Sequence, residues 1–134
     1  MKHAVVRIEL ILRIMGSVLL VAAFFAFRLM PADFRGDRLL EAAASNHDTE
    51  VKLFLWLGAD VNYSSGNGTA LHQAAFHGNV GLVSYLLEHG ALVDAPAKSG
   101  VTPLWQARER GQPAVEQVLL AHGANPNTSQ MLGR

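Results

Sequence analysis

The sequence predicts an all-α fold, in which a short solenoid of helix-turn-helix units follows one hydrophobic N-terminal helix. Two observations lead to this prediction. Motifs in the second half of the chain return at a spacing of 33 residues, and a fixed period of about 20–50 residues is typical of repeat architectures. Near the N-terminus, residues 14–27 form a run of fourteen residues without a charge, as expected of a helix in an apolar environment.

Composition excludes several classes of protein. Half of the 134 residues are hydrophobic and 16% are charged, which excludes a disordered or acidic tail. Eleven basic and eleven acidic side chains give a net charge of zero, so we expect no nucleic-acid partner, which would need a broad basic surface. The absence of cysteine excludes a disulfide scaffold, a thiolate zinc site and a thiol nucleophile.

Residues 1–30 are predicted to form a transmembrane anchor or an uncleaved signal. If Arg13 extends toward the lipid headgroups, the apolar run covers residues 10–27, and we expect this segment to contact the lipid bilayer. A helix of that length rises about 27 Å, which is close to the roughly 30 Å thickness of the hydrocarbon core.

Two alternatives remain open for this segment. A cleaved signal peptide fits the basic start and the short apolar run, but cleavage after Ala23 would leave the sequence FFAF at the new terminus. A buried core helix would need a large apolar partner surface, and the rest of the chain is too small to supply one.

The charges beside the hydrophobic segment only weakly specify its orientation, because basic residues lie on both sides. A short N-terminal tail before a first hydrophobic segment more often stays in the cytoplasm. We therefore expect a single-pass protein of a bacterial inner membrane, with the repeat domain in the periplasm. Residues 31–37 are the predicted linker.

Residues 38–130 divide into three repeat units. The sequence TALHQAA at 69–75 returns as TPLWQAR at 102–108, and LLEHGA at 86–91 returns as LLAHGA at 119–124. An earlier copy begins with LLEAA at 39–43. One unit cannot bury its apolar face alone, so the contacts between units should supply the stability. The units are about 38–65, 66–98 and 99–130.

Each unit is predicted to contain two short helices and a loop. Thr69 and Thr102 are good N-cap residues for the first helices of their units. Asn46, Gly78 and Gly111 separate the two helices of each unit, because these residues tolerate the left-handed backbone conformation. The second helices are expected at about 48–57, 80–89 and 113–122, each followed by a glycine.

The middle unit, TALHQAAFHGNVGLVSYLLEHGALVDA, resembles the ankyrin repeat, in which T-P-L-H-x-A-A, a central glycine and L-L-x-x-G-A-D-V-N recur. The resemblance covers residues 37–128. In the first unit Arg38-Leu39-Leu40-Glu41 replaces T-P-L-H, and in the last unit Arg108 replaces the second alanine. Terminal repeats need a wettable outer face, so we interpret these units as caps and expect three repeats. The resemblance implies that His72 bonds to backbone near the loops.

The sequence contains no catalytic or metal-ligating constellation, and we expect neither an enzyme nor a cofactor. His89 and His122 precede the glycine that ends a helix, where a cation complements the helix dipole. Trp105 replaces the histidine of the third unit and is interpreted as a packing residue.

The resemblance implies a module that binds another protein through a concave surface of loop tips and first helices. Tyr63, Phe76 and His77 are the expected anchors, because aromatic residues with polar edges dominate binding hot spots. The predicted protein-binding residues are Tyr63, Ser65, Asn67, Phe76, His77, Lys98, Val101, Glu109 and Arg110.

The functional hypothesis is therefore a membrane-anchored module that holds or inhibits a partner protein. An immunity protein, which covers the active surface of a toxin, is a specific form of this hypothesis. The alternative is an accessory or assembly factor that supports an envelope enzyme such as a peroxidase. A neighbouring effector gene would favour inhibition, and a neighbouring oxidoreductase gene would favour support.

Deleting residues 1–28 should move the protein from the membrane fraction to the soluble fraction, because the deletion removes the apolar segment and leaves the repeats. Helical circular dichroism and a cooperative melting transition should remain. An unfolded truncated chain would contradict this division, because the N-terminal segment would then belong to the core.

Overall fold

The computed structural model describes the backbone of residues 2–128 and the side chains from residue 13 to residue 128. This part of the chain contains seven α-helices and one short antiparallel hairpin, so the predicted all-α class is confirmed. The elements are α1 (Lys2–Leu29), α2 (Ala32–Ala44), α3 (Asp48–Trp56), β1 (Ser64–Ser65), β2 (Gly68–Thr69), α4 (Ala70–His77), α5 (Val80–Glu88), α6 (Pro103–Glu109) and α7 (Pro113–Ala121).

The chain divides into two compact units, Met1–Pro31 and Ala32–Arg134. The second unit contains the repeats. In its hairpin, Ser64 pairs with Thr69 and Ser65 pairs with Gly68. Positions 129 and 130 of the predicted third repeat lie outside the described residues, as do the side chains at positions 10–12 of the expected bilayer segment.

The helix α1 carries exposed apolar side chains within residues 13–29. Its side chains from position 13 to position 29 are exposed or half-exposed, and Leu20 keeps 74% of its surface accessible. Among the described residues, no single helix has both the length and the apolar composition of a membrane span. The helices Arg13–Leu29 and Ala32–Ala44 meet both conditions only when they are taken together.

The segment expected as a linker, residues 31–37, differs in the structure. Residues 32–37 form the first turns of α2. Gly36 is buried against the ring of Tyr63, and a Cβ at Gly36 would overlap that ring. The Arg35 guanidinium donates a hydrogen bond to the Gly58 carbonyl over 3.0 Å. These contacts with the loop after α3 explain why the helix begins before the repeat motif.

The core of the repeat domain lies between the helix layers. The helix α4 packs against α2 on one side and against α6 on the other, and α5 packs against α7. Three residues of α4 are fully buried: Leu71, Ala74 and Ala75. The small side chains of the two alanines let the neighbouring helices approach closely. Val83 and Leu86 of α5 are also fully buried. The predicted packing between neighbouring repeats is confirmed.

Helix ends follow the predicted signals. Asn46 has φ +57° and Gly78 has φ +72°, so both residues allow the left-handed turn between the helices of a unit. The Thr102 hydroxyl accepts a hydrogen bond from the Trp105 backbone N–H over 3.3 Å, which is the expected N-cap. The second helices end at Trp56, Glu88 and Ala121, one residue earlier than expected.

Arg108 adds a charged side chain to the outer face of the last repeat, as predicted for a cap. Arg108 takes the place of Ala75 in the repeat, and its Nε donates to Glu116 Oε1 over 2.7 Å. Arg108 Nη1 donates a second hydrogen bond, to the Pro126 carbonyl oxygen over 3.2 Å. An exposed ion pair contributes about 0–1 kcal/mol, so its main consequence is a solvated surface.

Side-chain amides and carboxylates tie the loops of successive repeats together. Asn62 Nδ2 donates to the Gly90 carbonyl over 3.0 Å, and Asn62 Oδ1 accepts from the Leu92 N–H over 2.8 Å. One repeat later, the Asp94 carboxylate accepts from the Asn125 N–H over 3.1 Å. These bonds hold the loops in register beside the first helices.

Candidate protein-binding surface

A groove of about 410 Å³ lies on the side of the stack formed by the first helices and the loops. We call it the concave groove. Its floor comes from α4 and α6, and its rims come from the hairpin turn and from the loop before α6. The residues used below are Asn67, Gln73, Phe76, Ser99, Val101, Trp105 and Gln106.

The structure brings together four of the predicted binding residues. Asn67, Phe76 and Val101 line the concave groove. Arg110 extends from the C-terminal end of α6, and its guanidinium carbon lies 3.6 Å from the centroid of the Phe76 ring. Glu109, the last residue of α6, is exposed.

Tyr63 and His77 have other contacts. Tyr63 is half-buried, and its hydroxyl donates to Asp37 Oδ1 over 2.9 Å. This hydrogen bond raises the pKa of Tyr63, with burial and the Asp37 charge acting in the same direction. His77 is exposed, and its Nε2–H donates to the Ala44 carbonyl over 2.9 Å.

Ser65 and Lys98 lie on the rims. Ser65 is exposed on β1, where it pairs with Gly68. Lys98 is exposed in the loop before α6, between two residues that line the concave groove. Both side chains are accessible to a partner, although neither lines the groove itself.

Trp105, for which the sequence predicts a packing role, lines the concave groove. It takes the position that His72 occupies one repeat earlier, where the imidazole is fully buried. Trp105 is only half-buried and lines the concave groove. The sequence signal is the large ring of Trp105 at the position of His72 in the preceding repeat. In the structure the next loop covers the His72 ring, through Val101.

His72 fixes one rim of the groove. Its Nδ1 accepts a hydrogen bond from the Thr69 N–H over 3.1 Å, so the proton of the neutral ring is on Nε2. That Nε2–H donates to the Val101 carbonyl over 2.9 Å. The implied bond between His72 and loop backbone is confirmed. Burial lowers the pKa of His72, and the bond to Val101 only partly opposes this effect.

The chemistry of the concave groove suits binding. The lining residues combine two aromatic rings with neutral amides and a hydroxyl, and none of them titrates near neutral pH. Amides both donate and accept hydrogen bonds, as the main chain of a bound polypeptide requires. Across the described part of the chain, no group of three or more His, Asp or Glu side chains is arranged to hold a metal ion.

Comparisons with known proteins agree with this architecture. A family model described as "Ankyrin repeats (3 copies)" matches residues 39–130. BCL-6 corepressor-like protein 1 of Homo sapiens is 33% identical over 112 residues, which cover 81% of this chain and 6% of that protein. Potassium channel AKT1 of Oryza sativa subsp. indica is 45% identical over 85 residues, which cover 60% of this chain and 9% of the channel.

Ankyrin repeat and KH domain-containing protein 1 of Homo sapiens is 43% identical over 63 residues, which cover 47% of this chain and 2% of that protein. The chain therefore spans less than a tenth of the length of each of these three relatives.

Acidification should destabilise the repeat domain through His72. The ring is held neutral in the folded state, whereas its pKa in the unfolded chain is about 6.5. The free energy of unfolding should therefore fall as the pH drops below about 6.5, by up to about 1.4 kcal/mol per pH unit for this group, until the lowered pKa of the folded state is passed. Urea titrations between neutral and acidic pH would measure this loss.

The control is His72→Gln, which removes the titrating group and retains a side chain that forms hydrogen bonds. The pH dependence should be steeper for the wild type than for this variant. Equal slopes would mean that other groups cause the acid sensitivity.

Proposed function

This chain belongs to the ankyrin repeat family, and from that premise we propose that its concave groove binds an extended segment of a partner protein. Ankyrin repeats generally mediate protein–protein interaction, and solenoids of this kind carry extended concave binding surfaces. The observation that carries the proposal is the position of the Phe76 and Trp105 rings beside neutral amides in one open groove.

The groove matches the needs of an extended polypeptide. Gln73 and Gln106 lie one repeat apart on the floor, and Asn67 and Ser99 lie on the rims. These side chains can satisfy main-chain N–H and carbonyl groups of the partner. The rings supply apolar contact area with few rotatable bonds, which limits the entropy lost on binding.

We also propose that α1 tethers the repeat domain to a membrane. In this proposal the chain is a single-pass protein of a bacterial inner membrane, and its repeats lie in the periplasm. The proposal is supported by the uncharged run at residues 14–27 and by the exposure of its apolar side chains, with Leu19 at 66% and Phe25 at 58%. A tether confines the binding domain to the bilayer surface, which raises its effective concentration toward a membrane-bound partner.

Two roles are compatible with a tethered binding groove. In the first, the chain holds or inhibits its partner, as an immunity protein inhibits a toxin. In the second, it supports the assembly or activity of an envelope enzyme such as a peroxidase. The sign of the effect on the partner separates them, because occlusion lowers the activity of the bound protein and support raises it.

Replacing Trp105 by alanine should weaken partner capture strongly, because truncation of a central aromatic anchor costs about 2 kcal/mol or more. The matched control is Trp56→Ala, since Trp56 is 69% exposed on α3 and does not line the groove. The measurement is photo-crosslinking of the full-length chain in native membranes, with captured proteins quantified by mass spectrometry and folding checked by thermal melting.

The proposed function predicts proteins whose capture falls with Trp105→Ala and persists with Trp56→Ala. Capture that persists with Trp105→Ala and is lost with Trp56→Ala would place the binding surface on the opposite side of the stack and contradict the proposal.

A further inference from the structure

We propose that the partner segment held in the concave groove carries an aspartate or glutamate side chain that pairs with Arg110. This inference rests on the proposed function and specifies the chemistry of the partner. It depends on the contacts of one guanidinium group, on the neutral lining of the groove beside it, and on the charges around the rim.

Among the described arginines of the repeat domain, Arg110 is the one whose side chain makes no hydrogen bond or ion pair within the described part of the chain. Arg35 donates to the Gly58 carbonyl, Arg38 to Glu41, and Arg108 to Glu116. The preceding residue, Glu109, forms no ion pair with Arg110 among the described residues.

The guanidinium of Arg110 is nevertheless held in place. Its carbon lies 3.6 Å from the centroid of the Phe76 ring, and the ring of His77 packs edge-to-face on Phe76 with centroids 5.2 Å apart. Stacking on a ring occupies the face of the guanidinium and leaves the N–H groups at its edge available. Because the group is already oriented, a partner loses less entropy when it binds.

A carboxylate is the group that fits this arrangement. The planar fork of N–H donors in arginine matches the two oxygens of a carboxylate, and such bidentate pairs are the stronger hydrogen bonds in proteins. The residues lining the adjacent groove carry no charge, so no acidic side chain among them competes for Arg110. Lys98, exposed on the rim, adds a second positive charge.

The pair would also set the position of the partner segment. Phe76 supports Arg110 with one part of its surface and lines the concave groove with another. A segment whose carboxylate binds Arg110 therefore extends its main chain along the amides of Gln73 and Gln106. The next apolar side chain of that segment then lies near Trp105. This arrangement requires an acidic residue at one fixed position of an extended segment.

The test is a selection of short random peptides, displayed inside a larger protein so that both peptide ends are blocked, on the full-length chain in detergent micelles. The selected peptides should share an aspartate or glutamate at one position. Arg110→Gln should weaken their binding by about tenfold or more, and changing the shared acid to its amide should weaken it similarly. The two changes together should cost less than the sum of their separate effects.

Arg110→Lys should restore binding only in part, because an ammonium group does not reproduce the bidentate fork. Arg38→Gln is the control, since Arg38 is paired with Glu41 outside the groove, and it should leave the affinity unchanged. Thermal melting of each variant verifies that the fold is retained.

Selected peptides without a shared acid, or with equal affinity for the wild type and Arg110→Gln, would overturn the inference. If such peptides still lose affinity with Trp105→Ala, the concave groove remains the binding surface and only the carboxylate pairing is wrong. If no selected peptide depends on Trp105 or Arg110, the proposed function fails together with the inference.

Discussion

The repeat domain depends on the burial of α4 between two neighbouring helices. Leu71, Ala74 and Ala75 have no accessible surface, because α2 covers one side of α4 and α6 covers the other. The alanines matter as much as the leucine, since a larger side chain would separate the helices. The same packing sets the spacing between the first helices, and that spacing forms the floor of the concave groove.

The polar contacts of the stack depend on that spacing. His72 reaches Val101 and Asn62 reaches Gly90 across about one repeat of sequence, so these bonds form only when the units are stacked at the correct distance. They fix the loops that form the rims. The binding surface is therefore a product of the core packing, and a change in the core should alter binding through the positions of the loops.

Much of this architecture could be predicted from the sequence, because its determinants are local and periodic. Helix ends lie at Thr102, Asn46 and Gly78 as expected, since a cap or a left-handed residue acts within one turn of chain. Three features could not be predicted in this way. The first two are the early start of α2 and the inward position of Tyr63. Both result from the contact between Gly36 and the Tyr63 ring. This contact joins residues that are distant in sequence, and it does not recur in the other repeats. The sequence predicts a packing role for Trp105, which replaces the histidine of the preceding repeat, whereas the structure places its half-buried ring in the concave groove.

The middle repeat, covered on both sides, stabilises the whole stack. Native-state hydrogen exchange on the 134-residue chain measures this stabilisation, because amides exchange most slowly where the local structure opens least. Amides in α4 should exchange most slowly, and protection should decrease toward α2 and α7. Equal or slower exchange in either of those outer helices would contradict it.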